Sequence, residues 1–355
     1  MRVEIEPVWR FRREDDGRSM LVMLEVLNEL RATGKISLAA EQAQMSYRHC
    51  WNLIERWAGF FGAPLVERTR GRGTRLTALG EKLVWAGQRL QARLRPQLQN
   101  LAQELETDLN EVLPQRTTVV RVHASHGFAV STLSELLSRQ SDIRIDLRYV
   151  SNQNSLVSLA HEACDLAGVH LPRGELRDEA VNSIREWLNP VEHRIIGLVT
   201  REMGLMVKRD NPLRITSLDR LLAPQVRFVN RDPESGSRRL FDQLIAQQKL
   251  DPSRIDGYER VEFTHAAVAA YVASGMADVS FGVEAAARQF DLDFVRLVTE
   301  DYFFVCRKQT LENEAVKRVL EVMRSAEFQG AVAQLPGYAI RDAGMIKTVQ
   351  AALRS

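Results

Sequence analysis

The sequence predicts an α+β protein overall, with an N-terminal all-α winged helix-turn-helix and a long linker helix, followed by an α/β domain. Three observations predict this order. Two short helical patterns precede an arginine-rich hairpin between Gly34 and Thr77. A stripe of leucines then runs from Leu79 to Leu109 at helical spacing. After Thr118, short β runs alternate with helical stretches.

The composition is typical of a soluble globular protein with two or three folding units. The chain has 355 residues, of which 45% are hydrophobic and 26% charged, and its formal net charge is only +2. Cys50, Cys164 and Cys306 are widely separated and lack the spacing of metal ligands, which predicts a reduced, cytoplasmic setting. The charged N-terminus lacks the apolar core of a signal peptide, and Asp278 interrupts the weakly polar run 266–283, so no membrane partner is expected.

The segment after Gly34 has the pattern of two helices joined by a tight turn. Ser37 is predicted to cap the first helix and Ser46 the second, and an upstream helix over 20–32 would pack beneath them. One face of the second helix is apolar and would face the core, with Cys50, Leu53, Ile54 and Trp57. The opposite face is polar and shows Tyr47, Arg48, Asn52 and Arg56.

A basic hairpin follows the second helix. It opens at Pro64-Leu65, and its tip is the arginine- and glycine-rich run 69–75. Six Arg (48, 56, 68, 70, 72, 75) stand against two Glu (55, 67) between Ser46 and Arg75, and an excess of 6 − 2 = +4 favours a polyanion partner. Two helices with a basic wing form the geometry that places a helix in the DNA major groove. The predicted contacts to a double-stranded DNA operator are Ser46, Tyr47, Arg48, Asn52, Arg56, Arg70, Arg72 and Arg75.

A helix with one apolar stripe is predicted from Thr77 to about Val112, with Pro96 as a possible kink. Such a stripe needs a partner helix, which predicts a homodimer or homotetramer, although packing against its own domain is the alternative. The run 111–118 reads as a linker. The predicted domains are 1–78 (winged helix-turn-helix), 79–117 (dimerisation and linker helix) and 118–355 (effector binding).

The second half combines short β runs with helices and predicts largely parallel sheets. The β runs are 119–122, 145–150, 166–170, 195–199, 205–208, 226–230, 279–283, 294–298 and 302–307. Polar residues cluster just after these runs, where helix N-termini offer free N–H groups to a small anion. The candidate effector residues are Ser125, His126, Asn152, Asn154, Ser155, His170, Thr200, Arg231, Ser235, Gly236, Ser237, Arg238, Thr264 and His265.

Each of these residues also has an ordinary structural interpretation. Ser125 and Ser155 would serve only as helix caps, and His170 and His265 as hydrogen-bonded core histidines. Arg231 and Arg238 would pair with nearby carboxylates rather than with a ligand, at Asp232, Glu234 or Asp242.

Two stretches carry family resemblances. GKISLAAEQAQMSYRHCWNLIERW followed by PLVERTRGRGTRLTALGEKL resembles the DNA-binding half of molybdate-responsive regulators, within the wider LysR-type winged-helix class, over about 20–90. In LysR-like regulators the helix that follows makes a dimer. FVNRDPESGSRRL and GYERVEFTHAAVAAYVASGMADVSFGVEAAA resemble the periplasmic-binding-protein-like domain of bacterial regulators, over about 119–341.

The second resemblance implies a type II fold with ligand between two lobes, lobe I at 118–196 and 286–355 and lobe II at 197–285. It implies molybdate or tungstate sensing, and control of molybdoenzyme or formate dehydrogenase genes. Where relatives often read Gly-Ser-Gly-Thr-Arg, this chain has Glu234-Ser235-Gly236-Ser237-Arg238, which leaves the anion open. The effector is therefore either a molybdate- or tungstate-type oxyanion or a small carboxylate such as formate.

No catalytic or cofactor motif accompanies these patterns. The sequence has no GxxxxGK[ST], no GxGxxG after a strand, no GxSxG and no HExxH, and the spacing of His123, His126 and His170 does not place them on one face. We therefore expect no enzyme, no metal and no cofactor besides the anionic effector. The alternative is an enzyme that acts on a small anion and carries a fused DNA-binding domain.

Overall fold

The computed structural model describes residues 3–13, 16–69, 73–112, 118–139 and 143–353. Its contacts divide the chain into two compact units. One unit is Glu6–Leu94, and the other consists of the described residues of Met1–Ile5 and Arg95–Ser355. Among the described residues, no helix is both long and apolar enough to cross a lipid bilayer.

The unit Glu6–Leu94 is a winged helix-turn-helix preceded by an extra hairpin. Its elements are β1 (Arg10–Arg13), β2 (Asp16–Ser19), α1 (Leu21–Thr33), α2 (Ile36–Gln42), α3 (Tyr47–Phe61), β3 (Val66–Thr69), β4 (Gly73–Leu76) and the first part of α4 (Ala78–Val112). β1 pairs with β2 and β3 with β4, both antiparallel. The all-α description of this region did not include β1 and β2, because two four-residue strands give little alternation to recognise.

The core of this unit lies between α1, α2 and α3. Cys50, Ile54 and Trp57 of α3 are buried as predicted, and Leu53 is partly buried. The first hairpin is held by its aromatic side chain Phe11, whose ring packs against those of Trp57, Phe60 and Phe61 with centroids 6.0, 6.5 and 5.2 Å away. The hairpin thus covers the C-terminal end of α3.

One of the two predicted helix caps is present. Ser46 Oγ accepts a hydrogen bond from His49 N at 3.2 Å, so the start of α3 is as predicted. The prediction that Ser37 caps α2 was wrong, because α2 begins at Ile36 and follows Lys35, an extended residue without a side-chain cap. Gly34, in the left-handed conformation, ends α1, and its carbonyl accepts from Thr74 N at 2.9 Å. The turn between α1 and α2 is therefore held at Gly34, before Ser37.

The second unit is an α/β domain. After the remainder of α4, its strands are β5 (Thr118–Ala124), β6 (Ile143–Tyr149), β7 (Leu166–Pro172), β8 (His193–Val207), β9 (Phe228–Arg231), β10 (Val261–Glu262), β11 (Val279–Val283), β12 (Asp293–Arg307), β13 (Tyr338–Ile340) and β14 (Ile346–Thr348). Its helices are α5 (Phe128–Ser138), α6 (Asn152–Ala160), α7 (Arg177–Ile184), α8 (Gly236–Gln247), α9 (His265–Ala273), α10 (Glu284–Gln289), α11 (Glu314–Arg324), α12 (Ala326–Ala333) and α13 (Val349–Leu353).

The strands of this domain form one continuous path in the order β10-β9-β11-β8-β12-β7-β5-β6, with β13 and β14 also paired to β8. The outer strands are parallel, as predicted, but β8 and β12 run antiparallel to each other and to their neighbours. The run 195–199 and all but the last residue of 205–208 belong to the single strand β8, and 294–298 and 302–307 belong to β12. The prediction of separate strands was wrong because polar residues at 200–202 and 299–301 resemble a loop in sequence.

These two long strands connect two lobes. The first lobe contains β5, β6, β7, β13 and β14, and the second contains β9, β10 and β11. β8 pairs with β13 up to Arg201 and with β11 from Met203 onward, so it passes between the lobes at Glu202. By strand pairing, the crossing in β8 therefore lies beyond the expected boundary at 196/197.

The C-terminal part of α4 packs on the edge of this sheet. Asn100 Nδ2 donates to the Tyr149 carbonyl at 3.2 Å, and Asn100 Oδ1 accepts from Tyr149 N at 2.9 Å. Its amide thus imitates a strand neighbour for β6, the last strand in the order.

Candidate functional site

The polar face of α3 is exposed, as a helix that enters a DNA groove requires. Tyr47 is 52% exposed, and Arg48, Asn52 and Arg56 are exposed on the same helix. Ser46 is exposed at its N-terminus, where its hydroxyl serves as the cap. The polar face of this 15-residue helix is therefore exposed, and its opposite face is buried.

The wing is attached to α3 by Arg68, which the sequence had indicated only as one charge among six. Arg68 Nη2 donates to the Tyr47 hydroxyl at 3.3 Å, and its guanidinium lies 4.4 Å from the centroid of the Trp51 ring. Arg75 is exposed on β4, where it stands opposite Glu67. The predicted contacts Arg70 and Arg72 lie outside the described residues.

Each lobe contributes one serine–histidine pair. In the first lobe, Ser125, which follows β5, is hydrogen-bonded to His170 Nε2 of β7. In the second lobe, Ser237 at the start of α8 lies 3.1 Å from His265 Nε2 at the start of α9. Both histidines are buried, and Nδ1 of each has no hydrogen-bond partner among the described residues.

A buried ion pair lies beside these histidines. Arg201 of β8 and Glu300 of β12 are 1% and 3% exposed at their side chains, and Arg201 Nη2 lies 2.7 Å from Glu300 Oε2. Arg201 Nε also donates to that oxygen at 2.8 Å. Its guanidinium lies 5.7 Å from the ring centroid of Tyr302, whose own ring is 4.7 Å from that of His170. Burial lowers the pKa of Arg201, but the charge and hydrogen bond of Glu300, together with Tyr338 and Tyr302, outweigh it and leave the pKa above its usual value.

Arg231 is the second buried guanidinium of this cleft. It ends β9 and is 9% exposed, and Nη2 donates to the Phe263 carbonyl at 3.0 Å. Its Nε and Nη1 are buried and find no hydrogen-bond partner in the described part of the chain. Burial, and then the charge of Arg201, lower its pKa to about 10. Two unpaired N–H groups on a buried cation are costly unless an acceptor completes them.

The buried arginines and histidines of the cleft lie close enough to shift one another's pKa values. Burial lowers the pKa of His126 to about 4, with further lowering by Arg95 and Arg231. Burial also holds the pKa values of His170 and His265 well below their usual range, and Arg201 and Arg231 act in the same direction. The three histidines are therefore neutral at neutral pH, and each can offer one N–H.

The N-terminus of α8 brings the lobes together at this point. A Cβ atom added at Gly236 would lie 3.4 Å from Asn152 Nδ2 and 3.5 Å from His170 Nδ1, so the second lobe's helix contacts the first lobe's polar groups. Asn152 Nδ2 donates to the His170 carbonyl at 3.0 Å, and its Oδ1 has no described partner. Arg239 Nη2 also donates to Gln153 Oε1 at 3.3 Å.

Four other predicted effector residues use their side chains in hydrogen bonds with the protein itself. Arg238 Nε binds both Asp242 oxygens at 2.9 and 3.1 Å, so its charge is neutralised along its own helix. The hydroxyl groups of Ser155, Ser235 and Thr264 bond main-chain groups at 2.7–3.2 Å, and the last two are helix caps. Arg238 thus follows its ordinary structural interpretation, whereas the interpretation of Ser155 as a helix cap was wrong, because Ser151 caps α6.

The remaining two are placed by their secondary structure. Asn154 is exposed in the first turn of α6, where its backbone N–H donates to Ser151 Oγ at 3.3 Å. Thr200 precedes Arg201 in β8, and because successive side chains of a strand point to opposite faces, it lies on the face opposite Arg201. No group of three or more His, Cys, Asp or Glu is arranged for a metal ion in the part of the chain that the structure describes.

Sequence patterns missed Arg201, Glu300 and Tyr302. All three lie within the long strands β8 and β12. The sequence predicted that strands end near these positions, so hydroxyl and backbone groups were expected to line the site instead. The signal that was present is alternation: once 193–207 is one strand, Arg201 rather than Thr200 shares a face with Met203 and Leu205.

Comparisons with known proteins agree with both units. Residues 21–81 match the family of bacterial regulatory helix-turn-helix proteins, lysR family, and residues 133–324 match the PBP superfamily domain. The chain is a LysR-type regulator with a periplasmic-binding-protein-like domain. Members of this family are regulators and not enzymes, which sets aside the enzyme alternative.

Individual relatives cover parts of this LysR-type regulator. The uncharacterized protein YvgK of Bacillus subtilis is 29% identical over 199 residues, which are 56% of this chain and 64% of YvgK. An uncharacterized protein in the ferredoxin 2Fe-2S gene 5' region of Clostridium pasteurianum is 36% identical over 110 residues, 31% of this chain and 97% of that protein. An H2O2-bound mutant of Corynebacterium glutamicum OxyR aligns over 88% of this chain and 94% of its own, with 15% identity and a TM-score of 0.45.

Proposed function

We propose that this LysR-type regulator binds operator DNA through α3 and its wing, and controls transcription in response to a small anion held between the lobes of its α/β domain. The candidate effectors are a molybdate- or tungstate-type oxyanion and a small carboxylate such as formate, and the candidate targets are molybdoenzyme or formate dehydrogenase genes. The observation that carries the sensor proposal is Arg231, a buried cation whose Nε and Nη1 have no hydrogen-bond partner among the described residues.

The donors around Arg231 suit an oxyanion. Ser125 and Ser237 supply hydroxyl groups, one from each lobe. At the start of α8 the Ser235 cap accepts from Arg238 N, while the N–H groups of Gly236 and Ser237 have no described main-chain acceptor. Because the donors come from both lobes, an anion would favour the closed arrangement. Such a ligand acts as a switch only to the extent that it binds the closed arrangement more tightly than the open one.

The effector site is tested by calorimetric titration of the full chain and two variants. Ser125→Ala and Ser237→Ala each remove one donor, which should weaken anion binding several-fold while leaving anion-free DNA affinity nearly unchanged. Ser158→Ala is the matched control, because its hydroxyl only donates to the Asn154 carbonyl of its own helix at 2.8 Å. Binding as tight in both variants as in the parent would contradict this placement of the pocket.

DNA binding is tested on the exposed face of α3. Arg48→Ala should weaken binding to the specific operator by about 1–3 kcal/mol if Arg48 reads a base, and should affect unrelated DNA much less. Lys82→Ala is a control with a similar loss of charge on exposed α4. Gel-shift titrations at fixed salt measure both, and equal losses on all sequences would assign Arg48 to phosphate contact instead.

The proposed homodimer or homotetramer uses an exposed apolar stripe on α4. Leu101, Leu105 and Leu109 are 50%, 47% and 41% exposed and lie four residues apart, so they share one helix face. Leu101→Glu with Leu105→Glu would place like charges in that seam and should yield monomers by light scattering. The same two positions changed to Met keep an apolar seam and should keep the oligomer. An unchanged mass in the double Glu variant would move the interface elsewhere.

A further inference from the structure

The charges buried in the cleft identify which class of anion would balance them. Arg201 and Glu300 form a buried pair of opposite sign and together add no net charge. Arg231 is buried as well, but its one described side-chain contact is the neutral carbonyl of Phe263. Among the described residues, Arg231 therefore has no carboxylate in direct contact, and one positive charge of the cleft is left unpaired.

The other titratable groups near this charge are neutral or partly solvated. His126, His170 and His265 carry no charge at neutral pH, and burial raises the pKa of Tyr302. Asp232, next to Arg231 in sequence, partly opposes the lowering of the Arg231 pKa. It is half-exposed and accepts from Glu234 N at 3.3 Å, so water screens its charge.

Two further charged groups belong to the surroundings. Buried Glu262 of β10 is not a cause of the pKa shifts of Arg231 or the histidines. Arg95 of α4 adds positive potential at His126. It also acts on the adjacent Tyr149, whereas the pKa shifts of His170 and His265 come from burial, Arg201, Arg231 and the other histidines.

Resting on the proposed function, we infer that the cleft is charge-matched to a small monoanion, and that it takes a dianion only together with one proton. Burying an ion is tolerated when its charge is compensated nearby, and one negative charge suffices for Arg231. A second negative charge would have no partner. The titratable groups beside it are the three histidines, so one of them must become cationic for a dianion to be accommodated.

The serine–histidine pairs provide a route for that proton. With a neutral ring, the Ser125 or Ser237 hydroxyl donates to Nε2, and the Nδ1–H is left as a donor to the ligand. A proton taken from the buffer adds at Nε2, which then donates to the serine oxygen. The serine hydroxyl hydrogen turns toward the anion, so no donor is lost.

Isosteric anions of different charge test this inference on the full chain. Perrhenate and molybdate share a tetrahedral shape, as do perchlorate and sulfate, so each pair changes charge with little change in form. Calorimetric titration in two buffers of different ionisation enthalpy reports the protons taken up on binding. We expect the monoanion of a pair to bind at least tenfold more tightly, without proton uptake. Dianion binding should take up about one proton and weaken about tenfold per pH unit above neutrality.

The outcomes separate this inference from the proposed function. A dianion that binds more tightly than its monoanion partner, with no proton uptake, overturns the charge match and leaves the anion sensor intact. If none of these anions, nor formate, binds at millimolar concentration, the proposed function fails and the inference fails with it.

A variant supplies a second readout. Glu300→Gln keeps the shape of the side chain and removes its charge, which raises the uncompensated charge of the cleft by one. In this variant we expect the affinity for molybdate, relative to that for perrhenate, to rise at least tenfold. Molybdate binding should then take up no proton. An unchanged preference in folded Glu300→Gln would contradict the inference, and the wild-type titrations decide it if the variant does not fold.

Discussion

Glu300→Gln should lower the free energy of unfolding of the α/β domain by roughly 3–5 kcal/mol, because it leaves the buried Arg201 charge without its partner. Arg201 is 1% exposed at its side chain and has no second carboxylate in contact among the described residues. The strands that carry the pair join the two lobes, so the loss of stability should affect both lobes. Hydrogen exchange of the β8 and β12 amides without anion measures it.

A double variant separates the pair from the charge. Arg201→Met with Glu300→Leu removes both ions and keeps apolar volume, so its stability should return to near or above that of the parent. The contrast between single and double variants is the signature of an uncompensated buried charge. Equal losses in both would show instead that packing at these positions determines stability.

Arg231→Met should weaken effector binding by about ten- to a hundred-fold, since it removes charged hydrogen bonds worth roughly 1.5–3 kcal/mol. The same variant should be as stable as the parent or more stable without anion, because Arg231 is a buried cation and the described residues offer no acceptor to its Nε and Nη1. Stability and binding thus change in opposite directions. Calorimetric titration and chemical denaturation of one preparation test both.

Arg238→Met is the matched control in the same lobe. Its guanidinium pairs with Asp242 and lies 4.3 Å from the centroid of the Tyr258 ring, so its loss should cost stability while anion affinity stays within about twofold. If Arg238→Met abolished anion binding and Arg231→Met did not, Arg238 rather than Arg231 would be the arginine that binds the anion.

Local patterns predicted local structure well. The Ser46 cap and the buried Cys50, Ile54 and Trp57 depend on neighbours within one or two helical turns, which the sequence shows directly. The strand positions of β5, β7 and β11 follow from short apolar runs for the same reason.

The site was harder to predict because its chemistry depends on contacts between distant segments. Arg201 and Glu300 are far apart in sequence and meet only because β8 and β12 pair along their full length. For Arg238 the sequence left both an effector and a nearby carboxylate open as partners, and in the folded structure Asp242, one turn later, binds it. Which arginine is left unpaired is a property of the folded structure, and no spacing rule shows it.

The pairing of β8 with β12 also affects how the domain assembles. β12 joins β8 only after β9, β10 and β11 have been synthesised, and the contact is long-range along its whole length. Closing such a loop costs chain entropy before the pairing stabilises it, which slows folding of non-local topologies. Until β12 arrives, a nascent chain exposes an apolar strand edge on β8, so we expect late folding and a need for protection from aggregation on the ribosome.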